Sequence, residues 1–418
     1  MVREGELLKS ACCIVAVVVM VGCGNADMTR FAPGSEETGA GIGSDAPPHI
    51  TLLPLDFGAP LSRTVSLRAD ASDDLGVTRV EFAVDGVAVA TVNQGSPYSA
   101  GWNTATVHNG AHDVTAKAFD TSGHTTTSRS LRVTTGNALF TPVRTVFIIL
   151  MENHNWSDIV GDDDAPYIVH TLLPQASHAE QYFNPPSLHP SEPNYLWLEA
   201  GTSFGVTNDS DPSRNHQSTS QHLVTQLEKA GLSWKSYQED IDGKTCPLTS
   251  TKHYAPKHNP MVYFDDVTDG NNVHASRCIS HVRPYSELAG DLTNGTVPNY
   301  VFITPNLCND MHSWFGCPSW HTIHTGDTWL SREVPKIMSS AAFRSGGALF
   351  ITWDESEGGE HPIGLIALSP FAKGSGYGNS VPYTHSSLLR TVQQTFGLIP
   401  LLGDAANATD LSDLFLPP

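Results

Sequence analysis

Several apolar runs in this chain stop abruptly at side chains that can do chemistry. The run VFIIL, residues 146–150, ends in Met151-Glu152-Asn153, with His154 next. A second, residues 348–353, ends in Asp354-Glu355 and is followed by Gly358-Gly359 and His361. Strands buried on both faces read as unbroken apolar runs rich in β-branched residues. The carboxyl edge of a parallel sheet is where open α/β folds place their sites. One such strand end is ordinary capping polarity. Two in one domain offer Glu152, Asn153, Asp354 and Glu355 as an oxygen-rich cage for one hard divalent cation of unspecified identity.

A third stretch, HPSEPNYLWLEAG at 189–201, places Ser191 just before Glu192-Pro193. Pro193 suits the first turn of a helix that runs to Gly201. A Ser in that position is commonly a cap. The same place suits a nucleophile, because exposed N–H groups and the positive end of the helix dipole also attract a phosphoryl group. A cation beside Ser191 would lower the hydroxyl pKa. The fourth stretch, NLCNDMHSWFGC at 306–317, follows the apolar run NYVFIT. Its Asp310 and His312 lie just past another strand end, with His312 suited to general acid work or to a hydrogen bond with phosphate. His321 and His324 are candidates to support the site from a nearby loop.

These groups need a scaffold to bring them together. From Arg144 onward, strand-like runs at 145–151, 299–304, 347–353 and 363–368 alternate with helical stretches. Ser218 is suited to cap a helix through Leu223, Val224 and Leu227 that stops at Gly231. Thr384-His385 opens another through Leu388, Leu389 and Val392, stopping at Gly397. The pattern predicts an α/β domain, a mainly parallel sheet sandwiched by helices. Neither GxxxxGK nor GxGxxG occurs, which excludes nucleotide binding of those kinds.

Ahead of it, residues 47–136 alternate polar and apolar residues between turn signals at Asp73-Asp74-Leu75-Gly76, Asp85-Gly86 and Asn109-Gly110. Asp85-Gly86 between alternating runs is a hairpin signal. Several short strands in about 90 residues predict a small all-β sandwich. Its few His and Asp fall at turns, so no catalytic role is expected there.

Residues 1–23 read as a targeting segment. Arg3 and Lys9 precede a short apolar stretch, Ala11 to Val21, too short to span a bilayer. Met20-Val21-Gly22-Cys23 resembles a bacterial lipobox with Cys23 as the lipidated residue. Residues 24–46 read as a flexible tether. The expectation is an exported, membrane-anchored lipoprotein that meets the membrane only through its lipid. Of the 7 Cys, Cys12, Cys13 and Cys23 are then spoken for. Cys246, Cys278, Cys308 and Cys317 remain, an even set in an oxidising compartment. Cys246–Cys278 and Cys308–Cys317 is the simplest of the possible pairings; zinc ligation is disfavoured because no CxxC pair occurs. Lys+Arg 23 against Asp+Glu 43 gives a net charge of −20, which argues against a nucleic-acid groove.

Taken in order, MEN, HPSEPNYL, NDMH and WDESEG resemble the bacterial phosphoesterase family of acid phosphatases and non-haemolytic phospholipases C, within the alkaline-phosphatase-like superfamily. The likeness covers about residues 144–415, and 144–418 is read as the catalytic domain. The preceding segment resembles bacterial immunoglobulin-like modules, in which Trp102 would be a core residue. The family resemblance implies one divalent metal held by Glu152, Asn153, Asp354 and Glu355, and Ser191 as a nucleophile that becomes phosphorylated. It implies assistance at the phosphate from His312 with Asp310, and it brings His189, His361 and, for substrate binding, Asn194 inside matched motifs. Ser191-Glu192-Pro193-Asn194-Tyr195 is also similar to the nucleophile motif of nucleotide pyrophosphatases. Tyr195 stands where sulfatases need Arg, and no Asp-x-x-x-His set marks a second metal. The expected activity is metal-dependent hydrolysis of small phosphate monoesters. A phospholipase C-type phosphodiesterase acting on phospholipid is the alternative, though loop 202–217 is polar and offers no apolar lid. A non-catalytic surface binding protein is the second alternative, and it would require loss of a ligand.

Overall fold

The computed structural model describes residues 45–416 apart from 56–60, 62–63, 108–109, 136–142, 162, 313–315 and 318–320. The expected targeting segment, Cys23 and nearly all of the expected tether lie outside the described residues, as does Asn109 of one expected turn.

Between His49 and Thr135 the alternating stretches form antiparallel strands in two sheets. One joins His49–Leu52, Thr64–Ser72 and Tyr98–Asn103; the other is built on Val77–Val84, Val87–Val92 and Gly110–Asp120. Leu67, Phe82, Val114 and Trp102 alternate inward and are at most 2% exposed. Trp102 is thus the core residue the sequence suggested. At the hairpin, Asp85 and Gly86 have φ of 50° and 80°, the positive pair that a type I′ turn requires. One expectation needs correction. His112 is in a strand rather than a turn; it is 1% exposed and its Nδ1 lies 2.6 Å from Asp85 Oδ2. The carboxylate satisfies the buried ring.

The α/β region is built from β1 (Thr145–Met151), β2 (Ser177–Ala179), α1 (Ser191–Ala200), α2 (Leu223–Lys229), β3 (Trp234–Gln238), β4 (Val282–Pro284), β5 (Tyr300–Thr304), α3 (Thr322–Ser339), β6 (Gly347–Trp353), β7 (Leu365–Leu368), β8 (Tyr377–Asn379) and α4 (His385–Thr395). They form one sheet in the order β4-β3-β5-β1-β6-β7-β2-β8. From β4 to β6 all neighbours are parallel, and β7 runs antiparallel to both β6 and β2. Every residue of β1, β5 and β6 is buried, which explains their unbroken apolar sequence.

This order makes β1 the strand between β5 and β6, and the register does the rest. Met151 pairs with Trp353, so Glu152 and Asp354 leave neighbouring strands side by side. Asp354 N donates to Met151 O at 2.9 Å, and Glu152 N donates to Asp310 O at 2.7 Å. Backbone hydrogen bonds thus stitch three strand ends together.

Several elements differ from expectation. β3 reads WKSYQ, with polar side chains at buried positions. Gln238 Nε2 donates to Ser236 Oγ at 2.9 Å and to Thr304 Oγ1 at 3.0 Å, so the strand satisfies its own polarity and shows no apolar run. α2 begins after His222, not at Ser218, whose hydroxyl is taken by Asp265. α4 starts where expected, with Thr384 and Ser387 forming a capping box.

Gly326 of α3 lets that helix approach the strand ends. A Cβ there would collide with Met311 Cγ and lie 3.0 Å from Met151 Cε. Gly326→Val is expected to lower unfolding stability by about 1–3 kcal/mol, the usual range for overpacking. A denaturant midpoint measured against wild type checks this; an unchanged midpoint refutes the close fit.

Candidate active site

The first turn of α1 lies against the stitched strand ends. Ser191, 2% exposed, is the first helical residue, and Pro190 is the N-cap. The hydroxyl makes no cap; its Oγ donates to Glu152 Oε2 at 3.1 Å. One turn later, Tyr195 donates to Glu152 Oε1 at 2.7 Å. Asn153 N donates to Asp354 Oδ1 at 3.0 Å, and its Nδ2 donates to Glu355 Oε1 at 2.8 Å. Glu355 Oε2 in turn lies 2.5 Å from His189 Nδ1 and accepts from Asn194 Nδ2 at 3.3 Å. The residues proposed from three separate motifs therefore form one connected cluster.

Its electrostatics are unbalanced. Burial would raise the Glu152 carboxyl, but His258, Lys257 and His312 hold it down at about 2. His258 Nε2 is 3.1 Å from Glu152 Oε1. Burial, and then the Glu152 charge, push Asp354 and Asp310 well above the ordinary carboxylate range. Burial also pushes Glu355 up, against the pull of His189. Buried carboxylates this close cannot all ionise unless a cation balances them. Asn153 Oδ1, Asp354 Oδ2 and Asp310 Oδ2 are buried with no hydrogen-bond partner among the described residues. Orphaned oxygens on two of the proposed ligands fit a hard divalent cation. The fit is loose. Among the described residues, no three of the acidic or His groups here have ligand atoms all within 4.8 Å of one another.

Of the other expected groups, His312 is half-buried beside the cluster. Its backbone N donates to Asp310 Oδ1 at 2.9 Å, its Nδ1 has no hydrogen-bond partner among the described residues, and burial lowers its pKa. The Cys308–Cys317 disulfide closes the loop that carries both residues, and Cys246–Cys278 is the second bridge. His361 is exposed, and among the described residues no hydrogen bond or ion pair is found that joins it to the cluster. His321 and His324 are exposed and face Asp164 at 2.8 and 4.0 Å. His154 Nε2 lies 3.1 Å from Met311 O, a loop tie rather than a place in the cluster.

Two histidines were not singled out in the sequence. His258, 2% exposed, stacks on Tyr195 at 5.1 Å and bridges Glu152 and Asp310. Its only local signal is a position between Pro256 and Pro260. His385 opens α4 as expected, but its ring is also buried, and burial lowers its pKa to about 4. The neutral ring donates from Nε2 to Asp354 O at 2.6 Å, and its Nδ1 accepts from Tyr182 OH at 3.1 Å. It holds the β6 end in place.

Comparison with known proteins bears on the family of the two regions. The phosphoesterase family model matches residues 163–399, and a bacterial Ig domain model matches residues 49–116. The chain is 30% identical over 271 residues to a phosphatidylinositol-3-phosphatase of Mycobacterium tuberculosis, covering 65% of this chain and 82% of that one. It is 29% identical over 226 residues to a phosphate-repressible acid phosphatase of Penicillium chrysogenum, covering 51% of each. Against a probable acid phosphatase of Kluyveromyces lactis, identity is 28% over 289 residues and coverage 64% of each. The chain thus spans only about half to two thirds of these fungal relatives. Among solved structures, a protein in the alkaline phosphatase superfamily from Vibrio parahaemolyticus aligns at 10% identity and a TM-score of 0.40, over 61% of this chain and 67% of that one.

Proposed function

This chain belongs to the phosphoesterase family, as a hydrolase of phosphoric esters, and we propose that it is a metal-dependent phosphomonoesterase working through a phosphoserine at Ser191. The observation that carries the reading is the Ser191 hydroxyl, bonded to Glu152 at the start of α1 and facing the strand-end acids. Glu152, Asn153, Asp354 and Glu355 would hold the cation, which when bound would lower the hydroxyl pKa and offset phosphoryl charge.

Ser191 Oγ would lose its proton to water and form the bond to phosphorus as the bond from phosphorus to the ester oxygen breaks, and that oxygen would take a proton from water. The α1 N-terminus would favour the phosphoryl group through its Ser191 N–H and the positive end of the helix dipole, since Glu192 N is held by Asp209 and Pro193 has no N–H. His312, whose buried Nδ1 has no hydrogen-bond partner among the described residues, would donate a hydrogen bond to one of the phosphoryl oxygens. Asn194 and His189 would fix Glu355 behind the nucleophile. Water would then cleave the phosphoserine by the reverse geometry. The polar loop 202–217 favours a small phosphate ester over a phospholipid diester. The short apolar stretch before Cys23 supports an exported, lipid-tethered enzyme, and no described helix is long and apolar enough to cross a membrane.

The test is acid quenching during turnover of a labelled monoester. Label recovered on the peptide containing Ser191 is expected; acid-stable label recovered on a different peptide, or none on this one during steady turnover, would overturn the assignment.

A further inference from the structure

Beside the cluster lies a cavity of about 240 Å³ lined by His312, Lys257, Asp209, Asp211, Ser250 and Thr251, with others. Lys257 had no part in the sequence reading, yet two constraints hold it here. Its chain neighbour His258 is fixed between Glu152 and Asp310. Its own Nζ donates to Asp209 Oδ2 at 2.8 Å, while Asp209 Oδ1 accepts from Glu192 N, next to Ser191, at 3.0 Å. The Lys257 side chain is 20% exposed, so the ammonium is tethered to the nucleophile's own helix turn at the cavity wall.

An ammonium carries three N–H donors. Asp209 occupies one, which fixes the direction of the others without using them. No other acceptor for Nζ is found among the described residues, and the cavity they face is shared with His312. A wall of carboxylates alone would repel any phosphate ester; Lys257 is the cation that offsets Asp209 and Asp211 on that side.

We propose that Lys257 binds a non-bridging oxygen of the substrate phosphoryl group, making the site selective for dianionic monoesters over monoanionic diesters, with Asp209 as the residue that positions it. A monoester offers one more anionic oxygen than a diester, and only that oxygen gains from a second cation on the cavity side. The inference rests on the phosphomonoesterase reading and adds its selectivity.

The experiment measures kcat/KM for p-nitrophenyl phosphate and bis(p-nitrophenyl) phosphate with wild type, Lys257→Gln and Lys257→Met. Gln keeps a donor for Asp209 without the charge, and Met keeps only the stem, so one can report if the other fails to fold. The monoester-to-diester ratio is expected to fall by about 10-fold or more in either variant, as befits loss of one charge-assisted hydrogen bond. A ratio within about threefold of wild type overturns the proposal, whether both activities drop together or neither moves. Wild type inert on both esters would instead overturn the phosphomonoesterase reading. Inorganic phosphate as a competitive inhibitor gives a second readout: its inhibition constant should rise in the same variants, and an unchanged constant counts against Lys257.

Discussion

Ser191→Ala is expected to lower kcat on p-nitrophenyl phosphate by at least about 10³-fold, the scale on which loss of a covalent nucleophile is felt. The side chain is nearly fully buried, and its hydroxyl has a single strand-end partner, Glu152 Oε2. Removing the hydroxyl takes one of two hydrogen bonds from Glu152, since Tyr195 keeps Oε1. Ala also suits the first turn of α1, so the fold should survive. The variant is expected to unfold within a few degrees of wild type, and substrate binding should persist because the backbone N–H of residue 191, the positive end of α1 and His312 remain. Turnover and KM measured together check this. Activity near the wild-type level would mean that the hydroxyl is a structural partner of Glu152 and that another group attacks phosphorus.

Much of that constellation was legible because of how the sheet is built. β1 and β6 are buried on both faces, so their sequences are unbroken apolar runs and any polar residue at their ends stands out. Sequence could not show that these ends are neighbours. That follows from the strand order and from the pairing of Met151 with Trp353. Ser191 was legible through Pro193, a local helix-start signal. His258 was not, because its place depends on the Tyr195 ring and on Glu152, which lie far from it in sequence. Lys257 was hidden for the same reason. β3 escaped notice because Ser236, Gln238 and Thr304 satisfy one another inside the sheet, which removes the apolar signature of a buried strand. Ser218 shows the opposite failure: a good local cap was outcompeted by Asp265, a partner 47 residues away.

Removing divalent metal is expected to abolish turnover and to make stability depend on pH in a particular sense. Asp354, Asp310 and Glu355 have carboxyl groups raised in the folded protein, by burial first and by the Glu152 charge. A group raised on folding contributes its stability fully below its unfolded pKa, and that contribution is lost as pH rises through the folded value. Glu152, held at about 2, acts the other way: its contribution is present above its unfolded pKa and is lost only as pH falls towards 2. Across mildly acidic to neutral pH Glu152 is therefore constant, and the raised group dominates. Metal-free protein should lose stability as pH rises through that window. A cation binds the deprotonated carboxylates and so displaces protons, giving affinity that increases with pH. At about 100 times its dissociation constant, a ligand bound only by the folded state adds about 2.7 kcal/mol. That corresponds to a rise of several degrees in unfolding midpoint for a domain of this size. The gain in midpoint on adding metal to chelated protein should thus be larger in neutral than in mildly acidic buffer, in parallel with recovered turnover. A gain that is flat or shrinks with pH would mean that the cation sits away from these carboxylates.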